Sequence, residues 1–247
     1  MTRTAIITGA SRGIGRASAL ALARQGAAVA LLARDQGALD AVASEIRAAD
    51  GTCAVCPCDV TDRTSVDAAI AQATAALGPP TILVNNAGFG GPFQLLSDTT
   101  DADYDQVFNT NVRAAFWFCR ALLPGMRDAG VGRIVNIASI EALTGASESA
   151  HYIASKHALI GYTKAIAAEW GRFGITSNAV CPGFVATEMA AGFDPAKITP
   201  RIPAGRFADP AEISRIVAFL VAEESSYLNG SVITADGGLL ADLGLER

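Results

Sequence analysis

The chain has 247 residues, and its 51% apolar and 17% charged composition supplies a large core with too few charges for disorder. A net charge of −5 with no basic cluster gives no support to nucleic-acid binding, and no apolar run approaches the roughly 18 residues that span a membrane. The opening Met-Thr-Arg-Thr runs straight into an apolar segment, so no signal peptide is expected and a cytoplasmic location follows.

The first predicted strand is 4–8, a β-branched run. Thr8-Gly9-Ala10-Ser11-Arg12-Gly13-Ile14-Gly15 follows it, and an Ala/Leu-rich helix over 13–25 comes next. Strand, glycine-rich turn and helix N-terminus together make an anion site, where backbone N–H groups and the helix dipole meet a pyrophosphate. Further strands are predicted at 28–33, 53–58, 81–85, 132–138, 175–181 and 231–235. Helices are predicted at 37–49, 63–77, 101–128, 150–172 and 210–223. Strands separated by helices imply a parallel sheet with right-handed crossovers. The strands are continuously apolar, as Val29 to Ala33 shows, which fits a sheet covered on both faces. No linker or repeat interrupts the series, so residues 1–247 read as a single α/β domain.

The punctuation agrees with that pattern. Asp209-Pro210-Ala211-Glu212 supplies an N-cap, a first-turn proline and an acid, and Gly78-Pro79-Pro80 stops a helix before the fourth strand. Phe116, Trp117 and Phe118 in succession cover a wide arc of the 101–128 helix; deep burial and a subunit interface both remain open. Cys53, Cys56 and Cys58 read as small apolar residues of a buried strand, and Cys119 and Cys181 as core, so no metal is expected.

Tyr152 and Lys156 stand four residues apart in Tyr-Ile-Ala-Ser-Lys, on one face of a predicted helix. An ammonium beside a phenol favours phenolate and is expected to lower its pKa from about 10, fitting it for proton exchange with a carbonyl or alcohol oxygen.

With these motifs in order, the chain resembles the short-chain dehydrogenases/reductases, in their single-domain branch of about this length. The resemblance implies a Rossmann-like doubly wound sheet of seven parallel strands. It implies that Gly9, Ser11, Arg12, Gly13, Ile14 and Gly15 form the cofactor turn and that Asp59-Val60 contacts the adenine. Asn86-Ala87-Gly88 matches the motif after the fourth strand, and Pro182-Gly183, with Val185 and Thr187, the segment at the nicotinamide end. Asn111, Ser139, Tyr152 and Lys156 match the family's catalytic tetrad. By that likeness Tyr152 is the general acid or base, and Lys156 lowers its pKa and bonds the nicotinamide ribose. Ser139 holds the substrate oxygen, and Asn111 positions a water in a proton relay.

The second strand ends in Ala33-Arg34 with no acid at position 33, and Arg12 lies in the glycine turn, so NADP(H) is expected over NAD(H). Asp35 dissents. The resemblance places Phe89, Phe93, Ser139, Glu141, Leu143, Ser149, Phe184 and Met189 at the substrate, under a lid over about 184–202 in which Gly192 and Pro195 imply a mobile flap. Glu141 either greets a cationic or hydroxylated substrate or is a solvated loop carboxylate, and His151 reads as a surface residue.

The nearest look-alikes are 3-oxoacyl and polyketide ketoreductases, which leaves a carrier- or CoA-bound substrate open. Asp128-Ala129-Gly130-Val131 stands where a carrier protein would want basic residues, so a free ketone or alcohol is favoured and an acyl carrier partner is doubtful. A non-catalytic nucleotide-binding regulator is the remote alternative. The likeness further implies a homotetramer, or else a dimer.

Overall fold

In a computed structural model, which describes residues 3–242, the short β-branched runs pair into one sheet. Among the described residues its strands are β1 (Thr4–Thr8), β2 (Ala28–Leu32), β3 (Cys53–Val55), β4 (Pro80–Asn85), β5 (Gly132–Ile137), β6 (Ile175–Pro182) and β7 (Val232–Ala235). They lie in the order β3-β2-β1-β4-β5-β6-β7, every pair parallel. The order reverses between β1 and β4, and at that switch point the connections leave in opposite directions and open a crevice beyond the strands' carboxyl ends.

Successive strand residues feed two cores, as the pleat requires. Ile7, Val29 and Val84 pack with Leu22 of α1 (Gly13–Arg24), Val42 of α2 (Gln36–Ala48) and Val217 of α8 (Pro210–Val221). Ile6, Leu83 and Ile134 pack on the other face with Val66 of α3 (Arg63–Leu77), Phe118 of α5 (Ala114–Asp128) and Ile166 of α6 (Ala150–Trp170). A short α4 (Asp101–Phe108) precedes α5, and α7 (Pro195–Ile198) lies between β6 and α8.

Capping side chains set most helix starts. The Asp35 carboxylate accepts from Ala38 N at 3.0 Å, Asp62 from Thr64 N at 2.9 Å, and both Thr100/Asp103 and Asp209/Glu212 form reciprocal boxes. The α1 start differs, because no side chain among the described residues caps it.

Two elements differ from the sequence expectation. The third strand ends at Val55 rather than 58, because Pro57 has no N–H to give the ladder, although Cys56 N and Cys58 N still reach Leu31 O and Ala33 O at 3.0 and 2.9 Å. The helix expected over 101–128 is two helices joined by a π turn, Asn109–Arg113. One extra residue in that turn re-aims Asn111, whose side chain is then spent on hydrogen bonds outside its own helix.

Candidate active site

The site grows from the β1–α1 turn. Gly9 and Gly13 have φ of +65° and +53°, a region that strains any residue with a Cβ. At Gly15 a Cβ would stand 2.1 Å from the Gly9 carbonyl oxygen, so only glycine lets α1 lie this close to the turn. The turn is tied to the end of β4: Thr8 Oγ1 accepts from Asn86 N and Ala87 N at 3.0 and 2.9 Å, and Asn86 Nδ2 donates to Thr8 O and Gly9 O at 2.9 and 3.2 Å. The first amides of α1 thus meet no capping side chain and stand at the positive end of the helix dipole, which fits a pyrophosphate. Thr187 borders the same turn, 3.2 Å from where a Gly13 Cβ would be.

Beyond the turn, Ser11 is only partly exposed, Ile14 packs against the first core, and Val60 is buried in the second. Arg34 is exposed at the end of β2. Thr61 holds the Asp59 carboxylate through its N and Oγ1 at 2.9 and 2.7 Å, which keeps it below its usual range, with Arg34 adding to the effect. Asp35 is occupied as the α2 cap. The Arg12 guanidinium is ion-paired with exposed Glu188 across the mouth of the turn.

Four side chains converge where β5, β6, α6 and the π turn meet. Ser139, in extended backbone just past β5, accepts from Glu141 N at 3.1 Å and hydrogen-bonds the Tyr152 hydroxyl. Lys156 is 3% exposed; its Nζ donates to Ile137 O at 2.9 Å and lies 5.6 Å from the Tyr152 ring centroid. Asn111, 2% exposed, accepts from Phe89 N at 2.8 Å and donates to Phe89 O and Ser155 Oγ at 3.0 and 2.9 Å. A Cβ on Gly88 would stand 3.4 Å from Lys156 Nζ and 3.6 Å from Asn111 Oδ1, so glycine there lets the chain pass between them.

The electrostatics correct the sequence reading. Burial pushes the Tyr152 phenol up to about 12; the Ser139 hydrogen bond pulls it back only partly, and the Glu141 carboxylate and Cys181 push the same way as burial. Burial lowers Lys156 to about 8, against the pull of Cys181. The ligand-free phenol is therefore a weaker acid than in water, because desolvation outweighs any help from the ammonium.

Several apolar side chains expected to line the substrate site are open to solvent or packed on one another. Phe89, Phe93, Leu143 and Met189 are between 37% and 62% exposed. Phe93 and Phe184 both meet Phe193 edge to face, at 5.5 and 5.1 Å between centroids, and Phe184 stacks on Phe207 at 5.3 Å. Phe207 escaped the sequence reading, since nothing local distinguishes it from a core aromatic. Val185 is buried and bridges to Ala208, while Pro182-Gly183 ends β6 against Ala235 and Asp236. Ser149 is 3% exposed and its hydroxyl lies against Glu141.

His151, expected at the surface, is 2% exposed, and neither ring nitrogen has a hydrogen-bond partner among the described residues. Its position was legible: 151, 155, 159 and 163 fall on one helical face, and all four are buried. Cys56, Cys58, Cys119 and Cys181 are buried free thiols, and Cys53 is partly so.

The chain matches the family model described as enoyl-(acyl carrier protein) reductase over residues 9–240. It is 40% identical over 242 residues to an acetoacetyl-CoA reductase of Shinella zoogloeoides, a match covering 96% of this chain and 98% of the relative. It is 37% identical to a 3-oxoacyl-[acyl-carrier-protein] reductase of Pseudomonas aeruginosa, covering 96% and 97%. A crystal structure of a variant actinorhodin polyketide ketoreductase with NADPH superposes with a TM-score of 0.92 at 35% identity, covering 96% of this chain and 97% of that one.

Proposed function

Since the chain belongs to the short-chain dehydrogenase/reductase family and is an oxidoreductase of that kind, we propose that it is an NADP(H)-dependent reductase interconverting a ketone and a secondary alcohol, with Tyr152 as the proton donor. The observation that carries the reading is the convergence of Ser139, Tyr152 and Lys156 beside the uncapped α1 turn. A dihydronicotinamide bound at this turn would supply the hydride for the carbonyl carbon. Ser139 and Tyr152 hold the carbonyl oxygen between two hydroxyls, and Tyr152 gives it a proton as charge develops there. A phenol pushed up to about 12 keeps that proton at neutral pH, which suits carbonyl reduction better than alcohol oxidation. Lys156, buried and near Asn111, returns a proton to Tyr152 along a path that Asn111 orders.

Cofactor choice rests on Arg34. Asp35 Oδ1 is engaged as the α2 cap by Ala38 N, and Arg34 is exposed beside Asp59. Arg12 is held by Glu188, so it adds to phosphate binding only when that ion pair opens. Comparing kcat/KM for NADPH and NADH, by absorbance during reduction of a ketone panel, tests this part. A preference for NADPH of at least tenfold is expected, and a preference for NADH removes the NADP assignment.

For substrate we favour a free ketone with an apolar arm, lying against Phe89, Phe93, Phe184 and Met189 beneath a lid over 184–202. A 3-oxoacyl thioester is the second reading, supported by the names of the relatives. Against a carrier protein, Asp128 is ion-paired with Arg127 at 2.8 Å and lowers the positive potential that an acidic carrier would meet there. A cytoplasmic homotetramer completes the proposal. The stacked pair of Phe116 on α5 and Tyr162 on α6, each 37% exposed, with Arg120 over the Phe116 ring, supports the subunit contact.

A further inference from the structure

Ser155 stands between Tyr152 and Lys156 on α6, is fully buried, and has none of the roles assigned above. Its hydroxyl is used twice: it donates to the carbonyl oxygen of Tyr152 at 2.6 Å and accepts from Asn111 Nδ2 at 2.9 Å. The first bond is unremarkable, since a serine inside a helix commonly bonds the carbonyl one turn before it. The second joins α6 to the π turn, 44 residues earlier in the chain.

What that second bond holds follows from the other contacts of Asn111. Its amide and the Phe89 backbone exchange two hydrogen bonds, at 2.8 and 3.0 Å, that close on themselves. They fix the π turn to the Gly88–Phe89 chain without reaching the helix that carries Tyr152 and Lys156. Lys156 is anchored elsewhere, to Ile137 O at the end of β5. Gly88 runs beside both groups, its Cβ position 3.4 Å from Lys156 Nζ and 3.6 Å from Asn111 Oδ1. A shift of the Asn111–Phe89 unit against α6 is therefore felt at the ammonium, and Ser155 resists that shift.

Further along α6 the same pattern recurs away from the site. The Thr163 hydroxyl donates to Leu159 O at 2.8 Å and accepts from Asn136 Nδ2 at 2.9 Å, and this pair is as buried as Ser155 and Asn111. Thr163 lies about 12 Å beyond Ser155 along the helix axis, and its partner belongs to β5 rather than to the π turn.

We propose that Ser155 is a positioning residue: through Asn111 it holds the Gly88–Phe89 chain in place against Tyr152 and Lys156, so that the proton donor and the ammonium behind it keep their geometry during turnover. This rests on the ketone-reductase reading above and adds a residue to its machinery. The hydroxyl is committed to two protein partners and acts only through them, so its loss slows the bound complex rather than weakening binding.

The test sets Ser155→Ala beside Thr163→Val, each of which takes one buried acceptor from an asparagine amide. Asn111 Nδ2 keeps Phe89 O, whereas Asn136 Nδ2 has no second acceptor among the described residues, so urea unfolding should show the threonine variant losing at least as much stability. With NADPH and a ketone that the wild type reduces, kcat should fall about ten- to a hundredfold in Ser155→Ala, while the ketone KM and the NADPH dissociation constant stay within about threefold. In Thr163→Val kcat should stay within about twofold of wild type. Ser155→Cys, whose thiol is a weaker partner of similar size, should recover part of the lost kcat and covers the case in which the alanine variant does not fold. A kcat loss under about threefold in the Ser155 variants, a loss matched by Thr163→Val, or a loss confined to KM makes Ser155 a structural serine and overturns the proposal, and the reductase reading stands. If the wild type reduces no ketone with either nicotinamide, the reductase reading itself fails, and this proposal with it.

Discussion

Replacing Lys156 with methionine should make the ligand-free protein more stable while disabling it. The ammonium is buried and, among the described residues, hydrogen-bonds one carbonyl, Ile137 O, and is ion-paired with no carboxylate. Its pKa falls from an ordinary 10.5 to about 8 because burial penalises the charged form. At 1.36 kcal/mol per unit, that fall corresponds to roughly 3 kcal/mol lost from the folded state at neutral pH. Methionine has a similar volume and no charge; after the lost hydrogen bond, worth about 1 kcal/mol, a net gain of about 1–3 kcal/mol remains. For a chain this long that is about 3–10 °C in melting temperature.

The pH dependence is diagnostic. Between about pH 8 and 10.5 the unfolded wild type binds the lysine proton and the folded one does not, so wild-type stability rises with pH across that window. The variant lacks that rise, so its advantage is full below pH 8 and shrinks toward pH 10.5. Urea unfolding at pH 6.5 and pH 9.5, at one protein concentration and without cofactor, measures it. A variant less stable than wild type at pH 6.5, or a difference independent of pH, would refute the reasoning that Lys156 is an uncompensated buried cation.

Other perturbations read neighbouring parts of the site. Gly15→Ala places a methyl group against the Gly9 carbonyl, so calorimetric NADPH binding should fall at least a hundredfold; binding unchanged within twofold would mean that α1 does not need its close approach. Asn111→Ala removes three hydrogen bonds that hold the π turn to Phe89 and Ser155, an expected loss of about 2–4 kcal/mol in urea unfolding, and a loss below about 1 kcal/mol would deny the turn its tether. Above pH 10, tyrosinate absorbance should show one phenol fewer titrating by pH 11 in the wild type than an exposed set would give, and that phenol should vanish in Tyr152→Phe.

The alternation of continuously apolar runs with Ala-rich helices was enough for the parallel sheet, since both pleat faces of β1, β2 and β4 must be buried for such runs to be stable. The glycine turn was equally legible, because Gly9, Gly13 and Gly15 each answer a backbone demand that no other residue meets. Local pattern did not reveal the π turn, because Asn109-Thr110-Asn111 continues a helical periodicity and the partner that pulls Asn111 outward, Phe89, lies 22 residues away. Nor did it reveal the direction of the Tyr152 shift. Spacing puts Lys156 on the right face but says nothing about how dry that face is, and the dryness decides the sign.

Tyr152→Phe reaches the centre of the account most directly, since it removes one hydroxyl and leaves the ring on which Lys156 rests. Measured with NADPH and a ketone that the wild type reduces, kcat/KM should drop about 10²- to 10⁴-fold while the NADPH dissociation constant stays within about threefold. A variant that keeps more than a tenth of the wild-type rate would mean that another group delivers the proton.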